Sequence, residues 1–78
     1  MMKVGDALIN TVDSFVRDDP SNPLRSFGKY PRGSIFILLD VGTVDDEYVF
    51  HHKVLAPDGI VGWIAKKNVK EMVNHETR

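Results

Sequence analysis

The run PDGIVGWIAKKNV, residues 57–69, most constrains what this chain can fold into. Pro57 presets its φ, Asp58 tolerates turn geometry and Gly59 accepts a positive φ, so 57–59 predicts a tight hairpin turn. Residues 60–64 then alternate, with Ile60 and Ile64 on one face and Val61 and Trp63 on the other, which predicts a strand. AKKNV, 65–69, reads as a short helical turn that returns Val69 to the core.

Upstream, SIFILLDV (34–41) predicts a strand opened by Gly33 and closed by Gly42. Its alternation separates Ile35, Ile37, Leu39 and Val41 from Phe36 and Leu38, and both faces are apolar. GTVDDE (42–47) is a polar turn. EYVFHHKVLA (47–56) reads as the next strand, its phase left open by a bulge expected around His51 or His52. Residues 17–34 carry three prolines and two glycines, which predicts a long surface loop, and Leu24, Phe27 and Tyr30 within it are expected to fold back onto the domain. At the N-terminus, Val4, Leu8, Val12, Phe15 and Val16 fit a helical spacing. The competing reading takes KVGDALINT as a strand entered through Gly5-Asp6, with SFVRD as a second short strand or the start of the loop. The strand is preferred, because the rest of the chain is a β-meander whose first edge needs a partner.

Seventy-eight residues make one small domain, taken as 1–73 with a polar tail at 74–78. With no cysteine there is no disulfide or thiolate metal site, and a reducing compartment is expected. The opening MMKVGDALIN shows no signal-peptide pattern, and no apolar run approaches the roughly 18 residues that span a bilayer. A cytoplasmic protein without a membrane partner is the expectation. Ten Lys and Arg against eleven Asp and Glu give a net charge of −1, without the basic excess of a domain built on phosphate contacts.

Taken together, RGSIFILLD, YVFHHKVLA and DGIVGWIAKKNV resemble the C-terminal half of an SH3-like barrel. In that family a G-x-x-G-aromatic-Ile hairpin strand leads into a one-turn 3₁₀ element and a final short strand. Gly59 and Gly62 match the glycines, Ile64 the buried aliphatic and Val69 the last core residue. MKVGDALI is similar to the opening strand of small stand-alone SH3-like proteins of bacteria and their phages. The resemblance implies an all-β fold: an SH3-like small barrel of about five strands, with a long Pro-rich loop and a 3₁₀ turn before the last strand. It departs from the family where a proline-peptide groove would carry Pro and Tyr, since this chain has Ala65 and Asn68 there. Only Phe50 corresponds to the strand aromatic of that groove, which argues against recognition of polyproline segments.

Phe36, Leu38, Val61 and Trp63 are expected on the outer face of the barrel, opposite Ile35, Ile37, Ile60 and Ile64 in the core. An apolar patch of that kind on a small domain is covered or functional. Its cover is the long loop, through Leu24, Phe27 and Tyr30, or a second copy in a two-fold dimer. The expected partner-binding set is Trp63, Phe36, Leu38, Val61, Tyr30 and Phe27. A nucleic-acid surface would instead use Lys66, Lys67 and Lys70 with Arg25, Lys29 and Arg32, beside Tyr30 and Trp63 as aromatic platforms.

His51 and His52, adjacent on a strand, point to opposite faces and cannot readily share one metal, so no metal site is expected. Asp40, Asp45, Asp46 and Glu47 gather around a solvated turn, and Ser14, Ser21, Ser26 and Ser34 lack a base at any motif spacing. No catalytic residue and no cofactor are therefore expected. The reading is a non-enzymatic binding or assembly module that engages a protein partner or itself, with nucleic-acid binding second.

Overall fold

The computed structural model describes residues 2–19, 26–41 and 50–72. They form seven strands and no α-helix: β1 (Ala7–Asn10), β2 (Ser14–Arg17), β3 (Ser26–Tyr30), β4 (Ile35–Val41), β5 (His51–Leu55), β6 (Val61–Ala65) and β7 (Val69–Glu71), with a 3₁₀ turn at Lys66–Asn68. The strands make one antiparallel sheet in the order β3-β2-β6-β5-β4-β1-β7, not closed between β3 and β7 among the described residues.

The N-terminal segment is strand, not helix. The chain turns at Lys3–Asp6, where the Lys3 amide donates to the Asp6 carboxylate at 2.9 Å. It then pairs with β4 through Leu8 opposite Phe36 and with β7 through Leu8 opposite Glu71. The helical spacing of Val4, Leu8 and Val12 loses because an isolated turn of helix would leave the β4 edge unpaired. The region expected to be one long loop is partly ordered β structure, since Ser26–Tyr30 pairs with β2 as a bulged hairpin. Residues 20–25, including Leu24 and Arg25, lie outside the described residues. So do 42–49, with Asp45, Asp46 and Glu47, and the tail 73–78 with His75.

Asn10 closes the β3–β4 connection. Its side-chain amide donates to the Tyr30 carbonyl at 3.2 Å and its side-chain oxygen accepts from the Ser34 amide at 2.7 Å. Its backbone carbonyl accepts from the Gly33 amide at 3.0 Å. Asn10 is almost fully buried, so these bonds replace the water it gives up. The β5–β6 turn follows its sequence: the Gly59 amide donates to the Ala56 carbonyl at 3.0 Å, and Gly59 has φ +90°, a conformation that glycine takes without a Cβ penalty.

The core is Leu8, Val16, Tyr30, Phe36, Leu38, Val54, Ala56 and Ile64, with Met2, Ile60 and Val69 packed against it. This corrects the face expected of β4. Phe36 and Leu38 are fully buried, whereas Ile35 is 38% exposed and Ile37 and Leu39 are only half-buried. Alternation separates two faces but cannot say which is inner when both are apolar. Register decides it: Phe36 sits opposite Leu8 and Leu38 opposite Val54, which itself faces Gly62, a tightly packed inner position. Tyr30 is likewise core and not an external cover.

Candidate binding cleft

Three separate stretches of chain line a cleft of about 760 Å³: Arg17 from the end of β2, Phe50 and His51 from the start of β5, and Ala65 to Asn68 from the end of β6 and the 3₁₀ turn. Hydrogen bonds hold these stretches together. The Lys66 amide donates to the Phe50 carbonyl at 2.9 Å, and His51 sits opposite Ala65 in the sheet. The Thr11 amide donates to the Asn68 carbonyl at 2.8 Å and so anchors the far side of the turn to the β1–β2 connection. Phe50, 75% exposed, presents its ring at the rim.

The lining is basic. Among the described residues it contains Arg17, Lys66 and Lys67 and no carboxylate. His51 registers this field: burial first, then the charges of Arg17 and Lys66, hold its pKa below the usual histidine value, so the imidazole is neutral at pH 7. His52, on the opposite face and buried in the sheet, is lowered by burial, then by Lys66 and His51. The Nδ1 atoms of both histidines are buried without a hydrogen-bond partner among the described residues. No group of three potential metal ligands gathers among those residues. Ser14 spends its hydroxyl on the Val12 carbonyl at 2.7 Å and Ser34 spends its own on the Pro31 carbonyl at 2.6 Å.

Beside the cleft, the outward face of the sheet carries two cross-strand rows. Ala7, Ile37, Leu55 and Val61 lie directly opposite one another across β1, β4, β5 and β6, an unbroken apolar row. In the next row Trp63 stands between Lys53 on β5 and Arg17 on β2. Trp63 and Val61 are thus outward, as their alternation predicts, with Trp63 partly covered and Val61 45% exposed. Of the other residues expected at a partner surface, Phe27 is 48% exposed and approaches Gly62, while Phe36, Leu38 and Tyr30 are interior and cannot touch a partner.

The basic rim expected from the sequence is divided. Lys66 and Lys67 line the cleft, whereas Lys29 pairs with Asp13 at 3.8 Å and the Arg32 amide also donates to Asp13, at 2.9 Å. Lys70 sits on β7 opposite Ile9. Sequence reasoning missed Arg17 and His51 as cleft residues. Arg17 reaches it through a β2–β6 pairing across 46 positions of chain, for which no local signal exists. Phe50 carried a signal, because the resemblance assigned it to a groove.

No helix among the described residues is long and apolar enough to cross a membrane. Comparison with known protein families, with curated proteins and with solved structures returns no match.

Proposed function

We propose that this chain is a non-enzymatic binding module of SH3-like build that engages a protein partner through the cleft at Arg17, Phe50, His51 and residues 65–68. The pairing order supports the SH3-like part. β1 pairs with both β4 and β7, β4-β5-β6 form a meander, the 3₁₀ turn precedes β7, and β2–β3 is a hairpin inside the connection from β1 to β4. On this reading β1, β4, β5, β6 and β7 are the five barrel strands. The observation that carries the binding role is the cleft itself, an exposed phenylalanine above a concave surface assembled from three chain segments.

Selection of peptides from a random display library against the folded protein tests this. Binders should emerge whose affinity falls at least about tenfold with Phe50→Ala, the loss of one exposed aromatic anchor. Binders indifferent to Phe50 and to residues 65–68 would remove the cleft as the site.

One observation favours a second reading, nucleic-acid binding: Trp63 is flanked in register by Lys53 and Arg17, a stacking ring between two cations. That reading predicts salt-sensitive retention on heparin, lost on changing Lys66 and Lys67 to Glu. The apolar row Ala7–Ile37–Leu55–Val61 similarly suits self-association, which light scattering on the eluting protein would reveal as a dimer.

A further inference from the structure

We infer that the partner segment this cleft accepts is acidic, a short extended run rich in Asp and Glu. The inference rests on the cleft being a protein-binding site and adds the chemistry of what it binds. Three cations converge on the cleft from two distant parts of the chain, and no described carboxylate lines it, although acidic residues outnumber basic ones in the whole chain. Among the described residues, positive charge is therefore concentrated at this cleft, the condition under which a cleft selects an oppositely charged ligand. What selects is the sign of the charge gathered at the cleft, not an unpaired cation. Lys67 is exposed and lines the cleft directly.

The rest of the lining fits the same ligand. Ala65 and Asn68 offer a small apolar floor and a side-chain amide where rings would be needed to grip a polyproline helix. Phe50 adds apolar contact for the stems of acidic side chains or for an aromatic beside them. His51 on β5 and the consecutive Lys66 and Lys67 on the 3₁₀ turn bring N–H donors to the cleft from two chain segments.

Size and surroundings favour a peptide over a nucleic-acid strand. A strand is held by a track of cations following its backbone. Here the track is interrupted, with Lys29 engaged by Asp13 and Asp40 directly opposite Lys53. A volume of about 760 Å³ accommodates a few side chains, not a long polyanion.

The test is fluorescence anisotropy with the full chain and three labelled probes at low salt: an Asp/Glu-rich decapeptide, its Asn/Gln counterpart, and single-stranded oligodeoxythymidine. The acidic peptide should bind at least about tenfold more tightly than its neutral counterpart, and more weakly as salt rises. Lys67→Glu should reduce that binding by about tenfold or more, while Lys29→Glu, outside the cleft, leaves it within about twofold. Unchanged thermal unfolding of both variants shows that they remain folded. Neutral-peptide binding that equals acidic binding and depends on Phe50 would overturn the acidic preference yet leave the cleft standing. Failure of both peptides would remove cleft and preference together. Tighter binding of oligodeoxythymidine with the same Lys67 dependence would assign the cations to nucleic acid. Stronger acidic-peptide binding after Asp45→Asn, Asp46→Asn and Glu47→Gln would show that the chain's own acidic run competes for the cations, overturning an external partner as their first occupant.

Discussion

The Tyr30 hydroxyl donates to both carboxylate oxygens of Asp58, at 2.9 and 3.0 Å, and ties the base of the β2–β3 hairpin to the β5–β6 turn. The Tyr30 ring also packs edge-on against Phe36, with centroids 5.5 Å apart. A residue expected to cover the domain from outside is instead a core ring with a polar tip, and a residue chosen for turn geometry supplies its acceptor. Tyr30→Phe keeps the ring and removes the bond, so urea unfolding should show a loss of about 1–2 kcal/mol. Asp58→Ala should cost a similar amount, and the double variant less than the sum of the two. Additive losses would show that the bond contributes nothing.

The same pair sets an alkaline limit. Burial first, then the hydrogen bond and charge of Asp58, push the Tyr30 pKa from 10.0 up to about 12. The folded state therefore resists an ionisation that the unfolded chain undergoes at 10.0. This stabilisation is fully present below pH 10.0 and is lost as pH rises toward about 12. Tyr30→Phe should flatten that loss in urea titrations across the window.

Gly62 is required by space and Gly59 by conformation. A Cβ on Gly62 would lie 2.5 Å from Val16 Cγ1 and 2.7 Å from the Arg17 carbonyl oxygen, and the latter is backbone that cannot swing away. Gly62→Ala should cost about 1–3 kcal/mol or more and loosen the β2–β6 pairing that brings Arg17 to the cleft. A Cβ on Gly59 meets nothing within 4 Å, so Gly59→Ala should cost only the strain of φ +90°, about 1–2 kcal/mol, with Gly59→Asn milder. Thermal unfolding and peptide binding together separate the two, since only the Gly62 change should weaken binding beyond its effect on folding.

The face assignment of β4 makes a direct mutational contrast. Phe36→Ala should destabilise by about 3–5 kcal/mol and Leu38→Ala by about 2–5 kcal/mol, because both are fully buried. Ile35→Ala, 38% exposed, should cost clearly less in the same urea titrations. Equal costs at Ile35 and Phe36 would contradict the register.

Acid should act through His52. Its folded pKa lies below the ordinary value of 6.5, so the unfolded chain takes up a proton first as pH falls. Stability is complete above about pH 6.5 and declines below it until the folded-state pKa is passed. Of the described residues, Lys66 and His51 are the charged or titratable groups that contribute, and His51 adds a loss of the same sign. His52→Leu should reduce the difference between urea midpoints at pH 7.5 and 5.5; an unchanged difference would place the acid sensitivity elsewhere.

What could be read directly from the residues was local. Pro57-Asp58-Gly59 forms its turn, residues 61–65 form a strand, and Lys66–Asn68 forms a single helical turn, because neighbours in sequence carry all the determinants. The opposite faces of His51 and His52 follow from the period of a strand and needed no partner. The resemblance assigned Phe50 to a groove position without showing the walls, while Gly59 and Gly62 marked only the closing hairpin.

The sequence by itself determined that this chain is all-β, where its closing hairpin turns, and which residues of β4 and β6 share a face. Only the tertiary structure decided which face is inside, that Ser26–Tyr30 joins the sheet, and that Arg17 meets Phe50, His51 and the 3₁₀ turn at one basic cleft. The reason is physical. Turn chemistry and alternation act over a few residues, whereas the inner face of β4 and the walls of the cleft are set by pairings such as Leu8 with Phe36 and Arg17 with Trp63. When both faces of a strand are apolar, its own residues carry no preference between them, and the neighbouring strands supply it.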